Sequence, residues 1–117
     1  MTIEQPEVDN GVCLKPNQPV AVVWDSKQKK KWYIGFFLDR NNGRTYRIDH
    51  LERKGSTDKL WCRPAGRDDI QNTEEIQILP ININGDWDFE NDKPTFVINN
   101  VNEIKESFDY VCKLFDV

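Results

Sequence analysis

Apolar and polar residues alternate in short runs along most of this chain, which is the pattern of β-strands with one buried face. Glycine, proline or charged segments separate five such runs, rich in β-branched and aromatic residues, at 19–25, 32–39, 44–53, 59–64 and 74–81. Asn42-Gly43 supplies the positive φ angles of a tight hairpin, and residues 65–72 predict a loop or a single helical turn. Five short strands with a helical turn before the last one indicate a small closed β-barrel.

The last third of the chain has a different pattern. Residues 82–94 are acidic and loop-like, and residues 94–100 predict a sixth strand. Residues 101–117 predict a helix that Asn100 or Asn102 caps. One face of this helix carries an apolar stripe, formed by Ile104, Phe108, Val111, Leu114 and Phe115.

Two interpretations of this helix remain open. Either it packs on the barrel wall, or it binds a partner through Ile104, Phe108 and Phe115. The predicted organisation is thus a flexible arm at 1–17, docked in part through Val12 and Leu14, a barrel at 18–81 and an extension at 82–117.

Composition limits the classes of function. The chain has three cysteines, Cys13, Cys62 and Cys112, and one histidine, His50, which do not form the ligand clusters of a zinc site. Widely spaced cysteines predict reduced thiols, and the N-terminus lacks the apolar segment of a signal peptide. No stretch approaches the length of a membrane span. We therefore expect an intracellular protein without a cofactor or a resident metal.

Charge is distributed unevenly along the chain, whose net charge is −4. Residues 18–81 hold 12 Lys and Arg against 9 Asp and Glu, whereas the two flanks are acidic. The basic side chains predict an alternative function, nucleic-acid binding, in which Trp32 and Tyr46 stack on bases. Its phosphate contacts would come from Lys27, Lys29, Lys30, Lys31 and Arg44.

Three segments resemble the Tudor family of SH3-like barrels. Val22-Val23-Trp24 and Tyr33-Ile34-Gly35-Phe36 are similar to its first two strands, and Ile78-Leu79-Pro80-Ile81 is similar to its last. Residues 51–69 are also similar to stretches in Tudor-like modules of transposable-element proteins. The resemblance implies a small five-stranded SH3-like barrel, and together with the helix predicted at 101–117 it gives a mainly β fold with a C-terminal α-helix.

The resemblance also implies an aromatic cage for a methylated cation. Trp24 and Tyr33 match the first two cage positions, while the third falls near His50 and the fourth near Arg53, which cannot form a wall. Asp25 or Asp49 would favour a cation beside the rings. The residues left to complete the cage are Trp32, Phe37, Tyr46 and Trp61.

The function predicted from these features is non-catalytic binding of a basic peptide, methylated or unmodified. The resemblance implies a histone or another partner in chromatin or RNA silencing, and a nuclear location. The alternatives are nucleic-acid binding through the lysine-rich loop and protein–protein interaction through the C-terminal helix. His50 has no partner arrangement typical of catalysis, and the chain lacks a glycine-rich phosphate loop, so we do not expect an enzyme.

Overall fold

The structure is a computed structural model that describes residues 14–25, 30–41, 43, 45–64, 68–90 and 94–115. Eight strands, a short 3₁₀ helix (Glu75–Gln77) and a C-terminal helix α1 (Val101–Phe115) make up its regular structure. The strands are β1 (Gln18–Asp25), β2 (Lys30–Arg40), β3 (Thr45–His50), β4 (Glu52–Arg53), β5 (Leu60–Cys62), β6 (Asp69–Glu74), β7 (Gly85–Asp88) and β8 (Thr95–Ile98). The predicted mainly β fold with a C-terminal helix is confirmed.

Two antiparallel four-stranded sheets contain these strands. The first sheet has the order β1-β2-β3-β6, and the second has the order β4-β5-β8-β7. The β4–β5 hairpin is inserted between β3 and β6, and it pairs with β8 rather than with the first sheet. The described strands thus form two sheets and not a single five-stranded cylinder.

The pairing of β2 with β3 is irregular. Its register with β3 shifts between Phe37 and Asp39, which marks a bulge. Gly35 lies opposite His50, and a Cβ there would come within 2.5 Å of the Ile48 side chain. The same Cβ would lie 3.0 Å from the Asp49 carbonyl oxygen, so the backbone of β3 approaches β2 closely at Gly35.

After the 3₁₀ helix the chain returns to β1. Ile78 forms an isolated antiparallel bridge with Val22, and the Leu79 N–H donates to the Ala21 carbonyl at 2.9 Å. The Gln77 side-chain amide donates to the carbonyl of Val23 at 3.2 Å. The segment that follows β6, the last strand of the first sheet, therefore lies beside β1, the first strand of that sheet.

The buried apolar side chains form two clusters. The inner cluster lies on one face of the first sheet and contains Val20, Val22, Phe37, Tyr46, Ile48 and Ile78, with Leu14 packed against it. The inter-sheet cluster joins the other face of that sheet to the second sheet and α1. Its ring contacts explain the aromatic composition, since Phe36 lies 5.6 Å from Trp87 and 5.2 Å from Phe96 between ring centroids.

Helix α1 packs on the inter-sheet cluster. Ile104 is fully buried, and Val101, Phe108 and Val111 are partly buried against it. The Asn100 side chain does not cap the helix in the predicted way. Instead its Oδ1 accepts from the Asn84 N–H at 2.8 Å and its amide donates to the Asn82 carbonyl at 2.8 Å.

Several element boundaries differ from the sequence prediction. Residues 69–72, predicted as a turn, lie in β6, and the predicted strand at 74–81 is mostly the 3₁₀ helix and a single bridge. The predicted third strand is two, β3 and β4, and β7 lies within the segment predicted as an acidic loop. In the arm, Leu14 docks on the inner cluster, whereas Val12 lies outside the described residues.

Candidate functional site

A half-open cavity of ≈ 500 Å³ lies at one end of the first sheet. Its lining comes from β1, β2, β3 and β6 of the first sheet, from β4 of the second sheet, and from residues in the connections between these strands. The lining residues are Trp24, Tyr33, His50, Leu51, Glu52, Pro64, Asp68, Asp69 and Gln71. We call this feature the acidic cavity.

Strand register brings the two predicted cage aromatics to the acidic cavity. Val22 lies opposite Tyr33 in the β1–β2 ladder, and Trp24 lies two residues further along β1. Residues directly opposite each other share a face, and so do residues two apart on a strand. By register, Trp24 and Tyr33 therefore lie on the strand face that carries Val22 of the inner cluster, although the Tyr33 side chain packs against the inter-sheet cluster.

The same argument places the residues from β3 and β6. Ile48 lies opposite Gln71 and His50 lies opposite Asp69, and Ile48 belongs to the inner cluster. His50, Asp69 and Gln71 are hence on the inner face, one step beyond the apolar core. The acidic cavity is the end of the first sheet's inner space, where polar side chains replace the hydrophobic ones.

The aromatic walls differ in exposure. Trp24 is 44% exposed, an unusually large fraction for an indole, whereas Tyr33 is half-buried. The Tyr33 ring is supported by Trp61 at 6.5 Å, edge to face, and by the Arg53 guanidinium at 5.3 Å. One wall of the acidic cavity is thus free to contact a ligand, and the other is held in place.

The electrostatic character of the lining is negative. Glu52, Asp68 and Asp69 contribute carboxylates, and the lining described contains no lysine or arginine. Among the described residues, the Arg63 Nη1 lies 4.0 Å from the Asp68 Oδ1, but its shorter ion pair is with the Asp49 Oδ2 at 2.6 Å. Carboxylates beside aromatic faces favour a cationic ligand.

His50 is the least exposed polar group of the lining. It is 6% exposed, and its Nε2 has no hydrogen-bond partner among the described residues. Burial lowers the pKa of the imidazole below its usual range, while the charges of Asp69 and Asp49 act in the opposite direction. The side chain is therefore neutral at pH 7.

The remaining predicted cage residues lie elsewhere. Phe37 was predicted as a pocket residue, but it is buried in the inner cluster, 5.4 Å from Tyr46 between ring centroids. Trp32 and Trp61 are buried in the inter-sheet cluster, 5.6 Å apart. Neither ring can line the acidic cavity, because neighbouring side chains in that cluster already cover both of them. Two aromatic rings and the His50 imidazole line it instead.

The predicted carboxylates also need correction. Asp49 is buried away from the cavity lining, where Arg63 donates to its Oδ2 at 2.6 Å. The Asp25 side chain lies outside what the structure describes. Sequence reasoning missed Glu52, Asp68, Asp69 and Gln71. The two aspartates are typical turn residues, which concealed that Asp69 begins a strand.

The residues of the two alternative functions are only partly described. Lys27, Lys29 and Arg44 lie outside the described residues, as do the side chains of Lys30 and Phe115, while Lys31 is exposed. Ile104, predicted as a partner contact, is fully buried in the inter-sheet cluster, and Phe108 is partly buried there. Ile104 is therefore not part of a partner surface, because the inter-sheet cluster on which α1 packs already covers it.

The described residues provide neither a cluster of metal ligands nor a helix that could span a membrane. There, no group of three or more His, Cys, Asp or Glu side chains could hold a metal ion. Helix α1 is too short and too polar to cross a membrane, and it is the only α-helix of the described part. Comparisons of the chain with family models, curated proteins and solved structures find no match.

Proposed function

We propose that this chain is a non-catalytic, Tudor-like binding module whose acidic cavity holds a basic side chain, methylated or unmodified, of a partner peptide. The observation that carries this proposal is the meeting of Trp24 and Tyr33 with three carboxylates in one half-open space. Ring faces attract a cation through their quadrupole, at about 0.5–2 kcal/mol per contact, and carboxylates add Coulomb attraction. Among the side chains of a peptide, lysine and arginine carry the positive charge that both the ring faces and the carboxylates attract.

The path of the chain supports the Tudor-type part of the proposal. Strands β1, β2, β3 and β6 are consecutive neighbours, and the chain then turns through a 3₁₀ helix back to β1. If residues 78–79 act as a short fifth strand on β1, the first sheet becomes the five-stranded SH3-like barrel expected from the sequence. The acidic cavity would then lie at the mouth of that barrel.

The lining supports binding rather than catalysis. Among its described residues there is no serine or threonine hydroxyl and no cysteine thiol beside His50. The carboxylates would repel a phosphate backbone, so the same cavity does not suit nucleic acid. A basic partner in chromatin or RNA silencing, and a nuclear location, remain part of the proposal through the resemblance alone.

Calorimetric titration with short basic peptides tests this function. The probes share one neutral sequence around a central residue that is lysine, arginine or a methylated form of either. We expect saturable binding by at least one probe, weakened about 2- to 30-fold by Trp24→Ala, since that variant removes one cation–π contact. Asp69→Asn should weaken binding too, and increasingly so at low salt.

Matched controls lie on the second sheet. Phe89 is 70% exposed and Asp86 is exposed, and neither lines the acidic cavity. Phe89→Ala and Asp86→Asn should therefore bind the probes like the unaltered chain. Absence of saturable binding by every probe, or equal losses in Trp24→Ala and Phe89→Ala, would refute the proposed function.

A further inference from the structure

Strand β6 lies at one edge of the first sheet, and within the described part of the chain it pairs with β3 alone. Most of its residues are exposed, namely Ile70, Gln71, Asn72 and Glu74. The strand contains neither a lysine nor a proline, with which proteins commonly protect an edge from pairing. On its side away from β3, which we call the open edge, β6 can therefore pair with a further strand.

The alternation of hydrogen bonds shows which backbone groups face the open edge. The Leu51 N–H donates to a carbonyl of β2 at 2.9 Å, so the backbone groups of His50, one residue earlier, face β6. His50 lies opposite Asp69, whose backbone groups accordingly face β3. Residues along a strand alternate in this respect, so the N–H and C=O of Ile70 and Asn72 face the open edge.

A hydrogen bond at the end of β6 supports the same assignment. The Glu74 N–H donates to the side-chain oxygen of Gln77, a residue outside β3, at 3.0 Å. Ile70 and Asn72 precede Glu74 at even spacing, so their backbone groups point the same way. No hydrogen bond joins these groups to another described residue. Exposed backbone groups of this kind are what an extended peptide pairs with when it adds a strand to a sheet.

The open edge borders the acidic cavity, because Asp69 and Gln71 of β6 line that cavity from the inner face of the strand. Directly opposite residues on paired strands point to the same face, with Cβ atoms about 4.5–5.5 Å apart. A residue of an added strand opposite Gln71 would therefore face the inner space as well. Its two neighbours in the peptide would pair with Ile70 and Asn72, and its own side chain would be directed toward the carboxylates of the lining.

We propose that the partner peptide binds as an antiparallel strand added to the open edge of β6, with its basic side chain opposite Gln71 and in the acidic cavity. Every strand pair in the described part of the chain is antiparallel. This inference rests on the proposed function, and it names the kind of partner. The partner is an extended segment in which the residue on each side of the basic one keeps its backbone N–H, so neither can be proline. A second copy of β6, which carries Asp69 and Glu74 but no basic residue, lacks the matching charge.

A scan of backbone N-methylation tests the added strand. The probe is the heptapeptide Ac-Thr-Val-Thr-Xaa-Thr-Val-Thr-NH₂, where Xaa is the basic residue that binds tightest in the titrations above. N-methylation of either threonine beside Xaa removes an N–H that faces β6 and should weaken binding roughly 10-fold. N-methylation of Xaa or of either valine alters an N–H that faces away, and affinity should stay within about 2-fold.

The outcomes of the scan separate the two proposals. Binding that responds equally to N-methylation at every position, or at none, would overturn the inference and leave the proposed function intact. No binding by any unmethylated probe, in this frame or in the earlier one, would refute both.

A pair of variants at one position changes the open edge from the side of the protein. Asn72→Pro removes an N–H that faces the open edge, and a proline there leaves the bonds between β6 and β3 in place. The heptapeptide should bind this variant about 3- to 10-fold more weakly. Asn72→Ala changes only the side chain, which lies on the face opposite to the cavity, and should keep full affinity. Full affinity of a folded Asn72→Pro, verified by circular dichroism, would overturn the inference.

Hydrogen exchange on the unaltered chain covers the case in which Asn72→Pro does not fold. In the free chain the amides of Ile70 and Asn72 should exchange faster than that of Gln71, which faces β3. Saturation with the heptapeptide should slow Ile70 and Asn72 more than Gln71, which reports any general stabilisation. Slowing that does not favour these two amides contradicts the added strand. Amides already protected in the free chain, increasingly so at higher protein concentration, would place a second copy on the open edge and also overturn the inference.

Discussion

Two clusters that share Tyr33 both combine aromatic rings with carboxylates, but only one of them also contains a cationic side chain of the chain itself. In the closed cluster, the Arg53 guanidinium lies 4.5 Å from the ring centroid of Trp61, 4.9 Å from that of Trp32 and 5.3 Å from that of Tyr33. Arg53 also donates to the Asp58 carboxylate at 2.7 Å and to the Trp32 carbonyl at 2.9 Å. Aromatic faces and a carboxylate thus enclose an internal cation.

The acidic cavity presents the same groups without an internal cation. Its rings are Trp24 and Tyr33 and its carboxylates are Glu52, Asp68 and Asp69, and no described lysine or arginine lines it. The two clusters also differ in how many elements of the fold they connect. Asp58 of the closed cluster also contacts Lys105 of α1 at 3.4 Å, so that cluster connects β4, β2 and the helix. The closed cluster therefore ties separate elements of the fold together, whereas the described lining of the acidic cavity contains carboxylates and no lysine or arginine.

The largest difference between the two clusters should appear in stability when one tryptophan of each is truncated. Trp61 is fully buried, so Trp61→Ala should lower the free energy of unfolding by about 3–5 kcal/mol. Trp24 is 44% exposed, and Trp24→Ala should cost less than about 1 kcal/mol. Urea denaturation followed by circular dichroism measures both. Equal losses would mean that Trp24 is a packing residue and not a cavity wall.

The internal cation itself provides the second comparison. Arg53→Met keeps an apolar stem among the rings but removes the charge and its hydrogen bonds, so we expect a loss of about 1–3 kcal/mol in unfolding free energy. The matched control is Arg47, which pairs with Asp39 at 2.6 Å in an exposed position. Arg47→Met should leave the denaturation midpoint unchanged, because exposed ion pairs contribute little. If both variants behave alike, the closed cluster does not stabilise the fold.

The closed cluster was harder to derive from sequence than the first sheet. The β1 and β2 runs, the turn at Asn42-Gly43 and the final helix follow from alternation, turn chemistry and helical periodicity. Nothing local indicates that Arg53 sits among Trp32 and Trp61, because the contact requires β4 and β5 to fold against β2. Long-range packing of this kind has no signature within one segment.

For the acidic cavity, too, some residues could be predicted from the sequence and others could not. Trp24, Tyr33 and His50 were expected there because the family resemblance places its cage positions at or near them. Asp69 and Gln71 were not, since polar residues on the inner face of β6 imitate a loop. Phe37 was wrongly expected there because alternation identifies a shared face but not the point along the strand where the core ends.

The smallest predicted effect is a pH dependence that belongs to the cavity alone. The pKa of His50 is lowered in the folded chain by burial, although Asp69 and Asp49 oppose this, so the unfolded state takes up the proton first as the pH falls below about 6.5. Stability should therefore be unaffected by His50 above pH 7 and decline toward pH 5, by at most about 1.4 kcal/mol per pH unit.

His50→Phe provides the comparison for that decline, since its stability should be flat over the same range. The closed cluster cannot produce the effect. Burial raises the pKa of Asp58, but Arg53 and Lys105 outweigh it and bring the pKa below its usual value, so its contribution is lost only at more acidic pH. Affinity for a basic probe should fall only at lower pH than stability does, once the folded chain itself takes up the proton, because a proton on His50 then adds a second positive charge to a cavity that otherwise presents Glu52 and the two aspartates. Denaturation and titration at pH 7, 6 and 5 measure the two quantities, and a stability of the unaltered chain that rises toward pH 5 relative to His50→Phe would contradict a neutral, buried imidazole.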